Sequence, residues 1–581
     1  NYQLKAKIRE TTVKMLKFLK TSTSHTNFSK FRFIGSTSVL RSRILCLDNI
    51  DPICVDIFRE KGHKVDVKNN LSVAELCSIV GDYDGMVIRS ATKVTKEVLR
   101  NATNLKVVGR AGVGTDNIDI AECTKYGVMV MNTPGGNTLS TAQLAFTLLC
   151  SAARQISQAD FSMKNGKWER KKFMGTELSG KTLAVVGCGR IGQQVAKWAQ
   201  GFNMKIVGFD PALPKDVAEE MGIELMDLDD LWRMADFITL HTPLTPDTKN
   251  LIGKEAIDKM KKGVILINCA RGGIINEEAL LKGLESGKVG SAALDVYASE
   301  PPPESANPLL SHPNVVCTPH LGASTEEAQV NVARDIAVQM SDTLNGVDYV
   351  GVINVGYMAM ANEPQLQPYL SLSEVIGKLH SQTTKKKVSK VQLKTYGSKV
   401  FSIETKSARN VILAQFLKGL LSYYPGVSAL PNLISSPLIA SEMGIKVEID
   451  TKLHPNMVSS PYSNIITVDV EFEDKTKKTI SGSVFGKQGK IVQIDNYQNF
   501  SAFKPENTLL SFRNEDRPGA VSGVLKILSE SGMNVATMNV GRQEGELALC
   551  LMGLDDYPTK EVVEKLNQLG ALKDVHVAQF N

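Results

Sequence analysis

Short runs of apolar residues alternate with stretches at helical spacing from Arg43 onward. Alternation of this kind predicts βαβ units around a parallel sheet. The pattern restarts at Lys181 and continues to Cys317, so we predict two α/β units in succession. Between them, residues Asn137 to Gln155 are apolar with an Asn/Thr start, which predicts one long helix. The strands predicted in the first unit are Ile44–Leu47, Gly85–Ile88, Lys106–Val108 and Val128–Met131.

The strand and helix alternation breaks near Ala361, where Pro364, Pro368 and a basic run follow. We therefore place a domain boundary there. The last stretch, Thr508 to Gln579, alternates as strand, helix, strand, strand, helix, strand. That order predicts a ferredoxin-like split βαβ module. A chain of 581 residues is long enough for three or four domains.

Composition narrows the class of protein. Hydrophobic residues make up 43% and charged residues 22% of the chain, and no apolar run approaches the length of a membrane span. The net charge of +6 comes from residues 1–44, which hold ten Lys/Arg against Glu10. The rest of the chain is slightly acidic, so we expect neither a nucleic-acid partner nor a membrane partner.

The nine cysteines are scattered and form no C-x-x-C pair, which favours free thiols in a reducing, cytoplasmic compartment and no metal site. Residues 1–40 are basic, acid-poor and rich in Ser and Thr. This composition is shared by mitochondrial presequences and by disordered tails, so both interpretations stay open. The protein could also begin at Met15 or at a later residue.

A glycine-rich motif marks a dinucleotide site. The apolar run Thr182–Val186 leads into Gly187, Gly189 and Gly192, and helical spacing follows. In G-x-G-x-x-G the glycines allow a tight turn, close approach to pyrophosphate and tight packing of helix on strand. A second strand, Lys205 to Phe209, ends at Asp210, whose carboxylate can accept from ribose hydroxyls. The same charge repels a 2′-phosphate, so we predict NAD rather than NADP.

Three polar residues follow three further apolar runs: Arg271, Glu300 and His320. Ligands of a doubly wound sheet bind at the carboxyl ends of strands, so these side chains should converge beside the nicotinamide. Oxidation of a secondary alcohol needs a base, and the pKa of histidine suits that role. Glu300 can hold the far ring nitrogen and Arg271 can bind a carboxylate. His241 is the rival histidine, although a cofactor contact or a core role suits it better.

These motifs carry a family resemblance. Asn268-Cys269-Ala270-Arg271-Gly272-Gly273, Ala293-Leu294-Asp295-Val296 and Pro319-His320-Leu321-Gly322 resemble the signatures of the D-isomer-specific 2-hydroxyacid dehydrogenases. The segments at residues 87–92, 109–114, 132–134 and 166–173 are similar to the long-form D-3-phosphoglycerate dehydrogenases of that family. The resemblance implies NAD-dependent oxidation of 3-phospho-D-glycerate to 3-phosphohydroxypyruvate, the first step of L-serine biosynthesis. Alternatives are a hydroxypyruvate or glyoxylate reductase and a non-catalytic NAD-sensing corepressor.

The resemblance also implies the architecture. The expected chain has a doubly wound Rossmann cofactor domain (136–324) and a flavodoxin-like, discontinuous substrate domain (41–135 and 325–355). Two α+β regulatory domains follow: an intermediate domain (356–505), which either binds an anionic or phosphorylated effector or serves as a spacer, and a ferredoxin-like ACT domain (506–581). A homodimer or homotetramer is expected.

Site residues follow from the same resemblance. Arg271, Glu300 and His320 form the catalytic triad. The substrate residues are expected to be Arg89, Ser90, Arg110 and Gly112, with Arg170 and Lys171 from a neighbouring subunit. An L-serine effector would contact Asn514, Asp516 and Asn534, although the same residues also suit a simple turn into a helix. The expected cofactor contacts are Val113, Gly187, Gly189, Arg190, Ile191, Gly192, Asp210, Thr242, Cys269, Ala270, Arg271, Asp295, His320, Leu321, Gly322 and Ala323.

Overall fold

Four β-sheets organise the described part of the chain, and they follow one another along the sequence. The computed structural model describes residues 42–303, 307–384, 386–397, 406–427, 431–452, 461–497, 501–543 and 547–580, which belong to one compact unit. The prediction of a disordered or targeting segment at residues 1–40 lies outside these described residues. No described helix is both long and apolar enough to cross a membrane.

The first sheet has five parallel strands in the order β2-β1-β3-β4-β5, which is the flavodoxin-like order. Four of the strands correspond to the predicted apolar runs, whereas the edge strand at Lys64–Val67 is partly polar and was not predicted, and helices connect the strands. The strands are β1 (Arg43–Cys46), β2 (Lys64–Val67), β3 (Gly85–Ile88), β4 (Val107–Arg110) and β5 (Met129–Asn132). The helices are α1 (Pro52–Glu60), α2 (Val73–Ile79), α3 (Lys96–Asn101) and α4 (Ile120–Lys125), with a 3-10 turn at Val80–Asp82.

The predicted long helix is present as α5 (Thr138–Arg154), and α6 (Ile156–Lys164) follows it after a left-handed Gln155. The second sheet has seven parallel strands in the order β12-β11-β10-β9-β6-β7-β8. The strand order reverses beside β6, so a ligand crevice lies at the carboxyl ends of β6 and β9. The prediction of a doubly wound cofactor unit is therefore confirmed.

The strands of the second sheet are β6 (Thr182–Val186), β7 (Lys205–Phe209), β8 (Glu224–Leu225), β9 (Phe237–Leu240), β10 (Val264–Asn268), β11 (Val289–Leu294) and β12 (Val315–Cys317). Its helices are α7 (Arg190–Gly201), α8 (Lys215–Glu220), α9 (Leu228–Met234), α10 (Lys254–Lys259) and α11 (Glu277–Glu285).

After β12 the chain returns to the first sheet through α12 (Glu326–Leu344). Ile336 and Met340 of this helix are fully buried in the same apolar core as Ile44 of β1. The segment after α12 then extends the edge of the sheet, because Ile353 N–H donates to the carbonyl of Val130 at 2.9 Å. The first unit is therefore discontinuous in sequence, and two crossings join it to the second.

The third sheet, in the order β14-β13-β15-β16-β17, is mainly antiparallel and packs on two long helices. Its strands are β13 (Val388–Tyr396), β14 (Lys446–Asp450), β15 (Ile465–Phe472), β16 (Lys477–Phe485) and β17 (Gln488–Ile494). The helices are α13 (Gln367–Gln382), α14 (Lys406–Leu421) and α15 (Ser436–Glu442), after a 3-10 turn at Met358–Met360.

The fourth sheet is antiparallel in the order β19-β20-β18-β21, with two helices after its first and third strands. Its elements are β18 (Thr508–Asn514), α16 (Ala520–Glu530), β19 (Val535–Gly541), β20 (Ala548–Leu554), α17 (Lys560–Asn567) and β21 (Leu572–Gln579). This arrangement confirms the ferredoxin-like split βαβ prediction. Leu509, Leu549 and Ala578 of this sheet pack into the apolar core of the third sheet, so the two sheets share buried surface.

Candidate active site

The glycine motif forms the turn from β6 into α7. Gly187 has φ of 91°, and a Cβ there would lie 2.7 Å from the carbonyl oxygen of His241. A Cβ on Gly192 would lie 2.2 Å from the carbonyl oxygen of Gly187, so helix and strand pack too closely for a side chain. Beside Gly189 there is open space, and α7 begins at Arg190 and Ile191 with no side-chain cap. Free helix N–H groups facing open space suit a pyrophosphate.

Asp210 stands at the carboxyl end of β7, as the sequence predicts. Its Oδ2 accepts from the N–H of Cys188 at 2.9 Å and its Oδ1 accepts from the N–H of Ala212 at 2.8 Å. The carboxylate therefore ties the glycine turn to the neighbouring strand. An ionised carboxylate has about four lone-pair positions, so acceptor capacity remains for ribose hydroxyls.

His241 and Thr242 follow β9 on the opposite side of the glycine turn. Within the described part of the chain, Nδ1 of His241 and Oγ1 of Thr242 are buried without a hydrogen-bond partner. Thr242 therefore offers an unused hydroxyl beside the cofactor turn, which fits its predicted contact. Burial lowers the pKa of His241 to about 4, and its Nε2 lies 2.9 Å from the hydroxyl of Thr239. A ring so poorly basic argues against His241 as the proton acceptor.

His320 and Glu300 are in direct contact. Nδ1 of His320 lies 2.6 Å from Oε2 of Glu300, and Oε1 of Glu300 accepts from the N–H of Tyr297 at 3.1 Å. Because Nδ1 bonds to the carboxylate, Nε2 is the nitrogen left for substrate. The imidazole is half exposed, with 50% of its surface accessible, so a ligand can reach it.

The contact between these two residues shifts both pKa values. The hydrogen bond that His320 donates to Glu300 raises the pKa of His320, and this effect outweighs that of burial. For Glu300, burial acts to raise the pKa, but the hydrogen bonds from His320 and from Tyr297 dominate and lower it. The pair therefore favours a charged carboxylate beside an imidazole of increased basicity, as expected for a general base.

Asp295 holds the loop that carries His320. Its carboxylate is fully buried and accepts from the Thr318 hydroxyl at 2.7 Å and from the N–H groups of Leu321 at 2.7 Å and Gly322 at 2.9 Å. His320 itself has φ of 57°, a left-handed conformation that its neighbours must stabilise. The carbonyl of Gly322 also accepts from Ser140 at 2.8 Å. Contacts of Asp295, Leu321, Gly322 and Ala323 with the cofactor stay predictions.

Arg271 lies in the loop after β10. Buried Asn268 fixes this loop, since its Oδ1 accepts from the N–H of Ala270 at 3.0 Å and its Nδ2 donates to the carbonyl of Arg271 at 2.9 Å. The neighbouring Cys269 is buried. The guanidinium donates through Nε to Oδ2 of Asp116 at 3.2 Å. Asp116 belongs to the loop after β4, so Arg271 reaches across to the first unit.

A group of arginines lines the same cleft. Arg110 ends β4, and its Nε is buried without a partner among the described residues. Burial, and then the nearby charges of Arg271 and Arg89, lower the pKa of Arg110 to about 10. Three guanidinium groups therefore interact at one place, and the unused donor of Arg110 calls for an anionic acceptor. Guanidinium groups suit carboxylate and phosphate ligands, and the assignment of such ligands to these arginines stays a prediction.

The loops beneath the arginines are held by hydrogen bonds. The N–H of Arg89 donates to Oδ2 of Asp48 at 2.8 Å, and Asn117 donates to the carbonyl of Arg89 at 2.7 Å. The buried N–H of Gly112 donates to Thr133 at 2.9 Å, so that amide is already used within the chain. The carbonyl of Val113 accepts from Asn132 at 2.7 Å.

The remaining predicted substrate residues are exposed. Ser90 follows β3 beside Arg89. Arg170 and Lys171 lie in the loop between α6 and β6, and the contacts described for Arg110 and Arg271 include neither of them. The substrate role of Arg170 and Lys171 stays a prediction.

The predicted effector residues lie at two ends of the fourth sheet. Thr508 and Asn514, the ends of β18, pair with Leu554 and Ala548 of β20, while Val535 of β19 also pairs with Leu554. Asn534, which precedes Val535, is therefore at the Thr508 end, about 20 Å from Asn514 at the usual rise per residue. Asp516 forms an ion pair with Arg542 at 3.2 Å, and Asn534 donates to Asp555 at 2.7 Å.

The sequence interpretation assigned no role to four residues of the site: Asp116, Asn268, Tyr297 and Asp48. Asn268 directly follows the apolar run Val264–Ile267 and Tyr297 directly follows the apolar run Ala292–Val296, so their position at the sheet edge was a usable signal. Asp116 lies 155 positions from Arg271 in the sequence, and nothing local indicates that contact.

Comparison with known proteins assigns the chain. Residues 146–322 match the NAD-binding domain of the D-isomer specific 2-hydroxyacid dehydrogenases, residues 365–495 match the D-3-phosphoglycerate dehydrogenase intervening domain, and residues 508–571 match the ACT domain. The D-3-phosphoglycerate dehydrogenase of Methanocaldococcus jannaschii is 42% identical over 538 residues, which cover 92% of this chain and 99% of the relative. The Bacillus subtilis enzyme of the same name is 39% identical, with 91% and 97% covered.

The fold of about half of the chain also matches a solved structure. A crystal structure of a D-isomer specific 2-hydroxyacid dehydrogenase from Polaromonas sp. JS6 66 superposes with a TM-score of 0.50 and 26% identity, covering 54% of this chain and 99% of that one. Three observations indicate the same family: the sequence signatures, the contact between His320 and Glu300, and the three domain matches. The chain belongs to the D-3-phosphoglycerate dehydrogenases, within the D-isomer-specific 2-hydroxyacid dehydrogenase family.

Proposed function

We propose that this chain oxidises 3-phospho-D-glycerate to 3-phosphohydroxypyruvate with NAD, the step that begins L-serine biosynthesis. The observation that carries the proposal is the contact of 2.6 Å between His320 and Glu300 in a cleft lined by Arg271, Arg110 and Arg89. The pair supplies a base and the arginines supply cations. A substrate with one carboxylate, one phosphate and a hydroxyl between them matches this set of groups.

The mechanism follows from the geometry of these side chains. When NAD is bound, it supplies the acceptor for the hydride that leaves the carbinol carbon. Nε2 of His320 takes the hydroxyl proton, while Glu300 keeps Nδ1 bonded and stabilises the imidazolium that forms. Arg271 binds the carboxylate next to the reacting carbon, which fixes the hydroxyl near His320.

The phosphate is assigned to Arg110 and Arg89. The buried Nε of Arg110 has no partner among the described residues, and a phosphate oxygen would satisfy it. Exposed Ser90 lies beside Arg89 and can donate to the same group. This cluster of cations favours a phosphorylated substrate over hydroxypyruvate or glyoxylate, which carry no second anion. The matched intervening and ACT domains argue against a corepressor with an unstructured tail.

The assay that tests this function follows NADH absorbance in the reductive direction. Phosphohydroxypyruvate, hydroxypyruvate and glyoxylate are compared as substrates at equal concentration with the full chain. We expect the phosphorylated substrate to give the highest kcat/KM, since only it uses Arg110 and Arg89. Equal kcat/KM for hydroxypyruvate would favour the reductase alternative, and no turnover with any of them would favour the corepressor.

A homo-oligomer, dimer or tetramer, is part of the proposal. Five large apolar side chains cluster in sequence at α6 and the loop after it, each more than half exposed: Ile156 55%, Phe161 72%, Met163 52%, Trp168 75% and Met174 81%. Exposed apolar surface on this scale supports a contact with a second copy. Arg170 and Lys171 lie in the same loop, so that contact would carry them toward a neighbouring cleft. Sedimentation of the full chain, compared with that of a double variant carrying Phe161→Glu and Trp168→Glu, tests this contact.

We also assign the domains by function. Residues 41–135 with 325–355 bind substrate, 136–324 bind NAD, 356–505 form the intermediate domain and 506–581 form the ACT domain, which binds an amino-acid effector. L-serine is the proposed effector, held by Asn514 and Asp516 of one module and Asn534 of a paired one. A reducing, cytoplasmic setting is supported by nine cysteines that are all free.

A further inference from the structure

Glu277 is an acidic residue at the start of α11 that does not belong to the catalytic triad. It is the first residue of the helix, and Asn276 before it caps the helix by accepting from the N–H of Ala279 at 2.9 Å. The Glu277 side chain is therefore not needed as a cap. It extends instead to the loop between β11 and β12, which carries Glu300.

Both oxygens of the Glu277 carboxylate accept hydrogen bonds from that loop. Oε1 accepts from the N–H of Ala298 at 2.7 Å, and Oε2 accepts from Nδ2 of Asn307 at 3.1 Å. Hydrogen bonds to an ionised carboxylate are roughly twice as strong as those between neutral groups. The carboxylate therefore ties two points of the loop to the helix, one before Glu300 and one after it.

The peptide between Tyr297 and Ala298 is held from both sides. Its N–H donates to Glu277, and its carbonyl oxygen packs against Gly272, where there is no room for a Cβ. Gly272 directly follows Arg271 of the triad. The position of this peptide is therefore set by close packing against the Arg271 loop on one side and by the Glu277 carboxylate on the other.

The residue next to Ala298 holds the catalytic pair. The N–H of Tyr297 donates to Oε1 of Glu300 at 3.1 Å, and Oε2 of Glu300 lies 2.6 Å from Nδ1 of His320. The Tyr297 hydroxyl lies 3.1 Å from the carbonyl oxygen of Thr318, two residues before His320. Because Tyr297 and Ala298 are adjacent, a displacement of the Ala298 amide also displaces the amide that holds Glu300.

We propose that Glu277 is a positioning residue for the oxidation: it holds the loop so that the Glu300 carboxylate stays bonded to Nδ1 of His320. The inference rests on the proposed function, in which His320 is the base. The described hydrogen bonds of Glu277 go to Ala298 and Asn307, so it acts through the catalytic pair and not on the substrate. Without them the loop loses an anchor on each side of Glu300, and proton transfer by His320 slows.

Variants of Glu277 and of its neighbour separate this role from an effect on the helix. Glu277→Ala removes both acceptors, whereas Glu277→Gln keeps an amide oxygen that can accept from Ala298. Glu277→Asp keeps the charge on a shorter side chain, and it replaces the alanine variant if that variant folds poorly. Glu278→Ala is the matched control, because exposed Glu278 lies in the same first turn and pairs with Lys282 at 2.6 Å. A helix-dipole effect would appear in both alanine variants.

The first readout needs no substrate. Diethyl pyrocarbonate modifies the neutral imidazole and not the imidazolium, and peptide mass spectrometry of the full chain gives the modification rate of His320 at each pH. The ring is 50% exposed, so the reagent can reach it. We expect the midpoint of this profile to fall by about 0.5–1 pH unit in Glu277→Ala, because the Glu300 charge acts less strongly on the displaced ring. Glu277→Gln and Glu278→Ala should keep the midpoint of the parent.

The second readout is steady-state kinetics with phosphohydroxypyruvate and NADH. We expect Glu277→Ala to lower kcat by about tenfold and to leave KM nearly unchanged, and Glu277→Gln to recover most of the loss. Unchanged midpoints in Glu277→Ala and Glu277→Asp, or an equal shift in Glu278→Ala, would overturn the inference. If the parent does not turn over this substrate while the His320 midpoint still falls in Glu277→Ala, the proposed substrate is wrong and the positioning role of Glu277 is supported.

Discussion

Nε of Arg271 lies 3.2 Å from Oδ2 of Asp116, so an ion pair joins the loop after β10 to the loop after β4 across the cleft. The Asp116 side chain is 67% exposed and that of Arg271 27% exposed, so the pair contributes little to stability, about 0–1 kcal/mol. Its effect lies in the electrostatics of the cleft. Asp116 offsets part of the positive charge that would attract an anionic substrate.

Asp116→Asn should therefore lower KM for 3-phosphoglycerate by about two- to fivefold at low ionic strength, with little change in kcat. The difference should shrink as salt is added, because exposed charges are screened. Initial rates over a substrate series at two salt concentrations measure both effects. A higher KM in the variant would mean that Asp116 orients Arg271 for substrate.

His320→Ala should lower kcat by about a hundredfold to ten-thousandfold, the usual contribution of a positioned acid-base group. NADH binding, followed by protein fluorescence, should be nearly unchanged. His312→Ala serves as the matched control, because its ring accepts from the N–H of Asn314 at 3.1 Å and plays no part in the cleft. Near-normal turnover of His320→Ala would return attention to His241.

Glu300→Gln should move the pH dependence of the reaction. Glu300 raises the pKa of His320, so the neutral imidazole needed for oxidation is lost as pH falls through that raised value. Without the carboxylate the pKa of His320 falls. The acid limb of the oxidation profile should then shift to lower pH, and reduction, which needs the imidazolium, should be lost at lower pH than in the parent. Profiles of kcat/KM in both directions test this, and limbs that stay in place would contradict it.

The sequence was sufficient for those parts of the fold and site that local signals encode. Strand ends, the turn at Gly187 and the His320 motif are each read from a few adjacent residues, and β3 and the start of α16 lie where the pattern predicts. The contact between Arg271 and Asp116 depends on how two separate sheets are placed, and no periodicity contains that information. Asp295 shows the same limit. Its position in a family signature placed it in the site, but the sequence did not reveal the three hydrogen bonds that its carboxylate accepts.

Asp295→Asn tests that loop support. The amide keeps the volume but replaces one acceptor with a donor that meets N–H groups of the loop. We expect the free energy of unfolding to fall by about 1–3 kcal/mol, the cost of a buried unsatisfied group. Because the left-handed backbone of His320 loses its support, kcat should fall more than NADH affinity does. Urea denaturation and single-turnover kinetics measure the two, and an unchanged kcat would limit Asp295 to a structural role.

Serine binding to the ACT domain should require two copies of the module. Asn514 is the last residue of β18, whereas Asn534 precedes β19 near the opposite end of β18. One module therefore cannot bring both residues to a single small ligand. A pairing that places one module's Asn534 beside the other's Asn514 would supply both amides, and Asp516 would accept from the ammonium group. The bonds of Asp516 to Arg542 and of Asn534 to Asp555 must then be exchanged for bonds to serine, which keeps the net gain small.

We therefore expect calorimetric titration of the intact chain to show binding at millimolar serine, and Asp516→Ala and Asn534→Ala each to abolish it. Asp556→Ala is the matched control, since this exposed acid neighbours Asp555 without contacting Asn534 in the described bonds. Absence of heat with the parent chain would leave the module as an assembly element. Binding that survives both variants would place serine elsewhere, because the proposed site needs both the Asp516 carboxylate and the Asn534 amide.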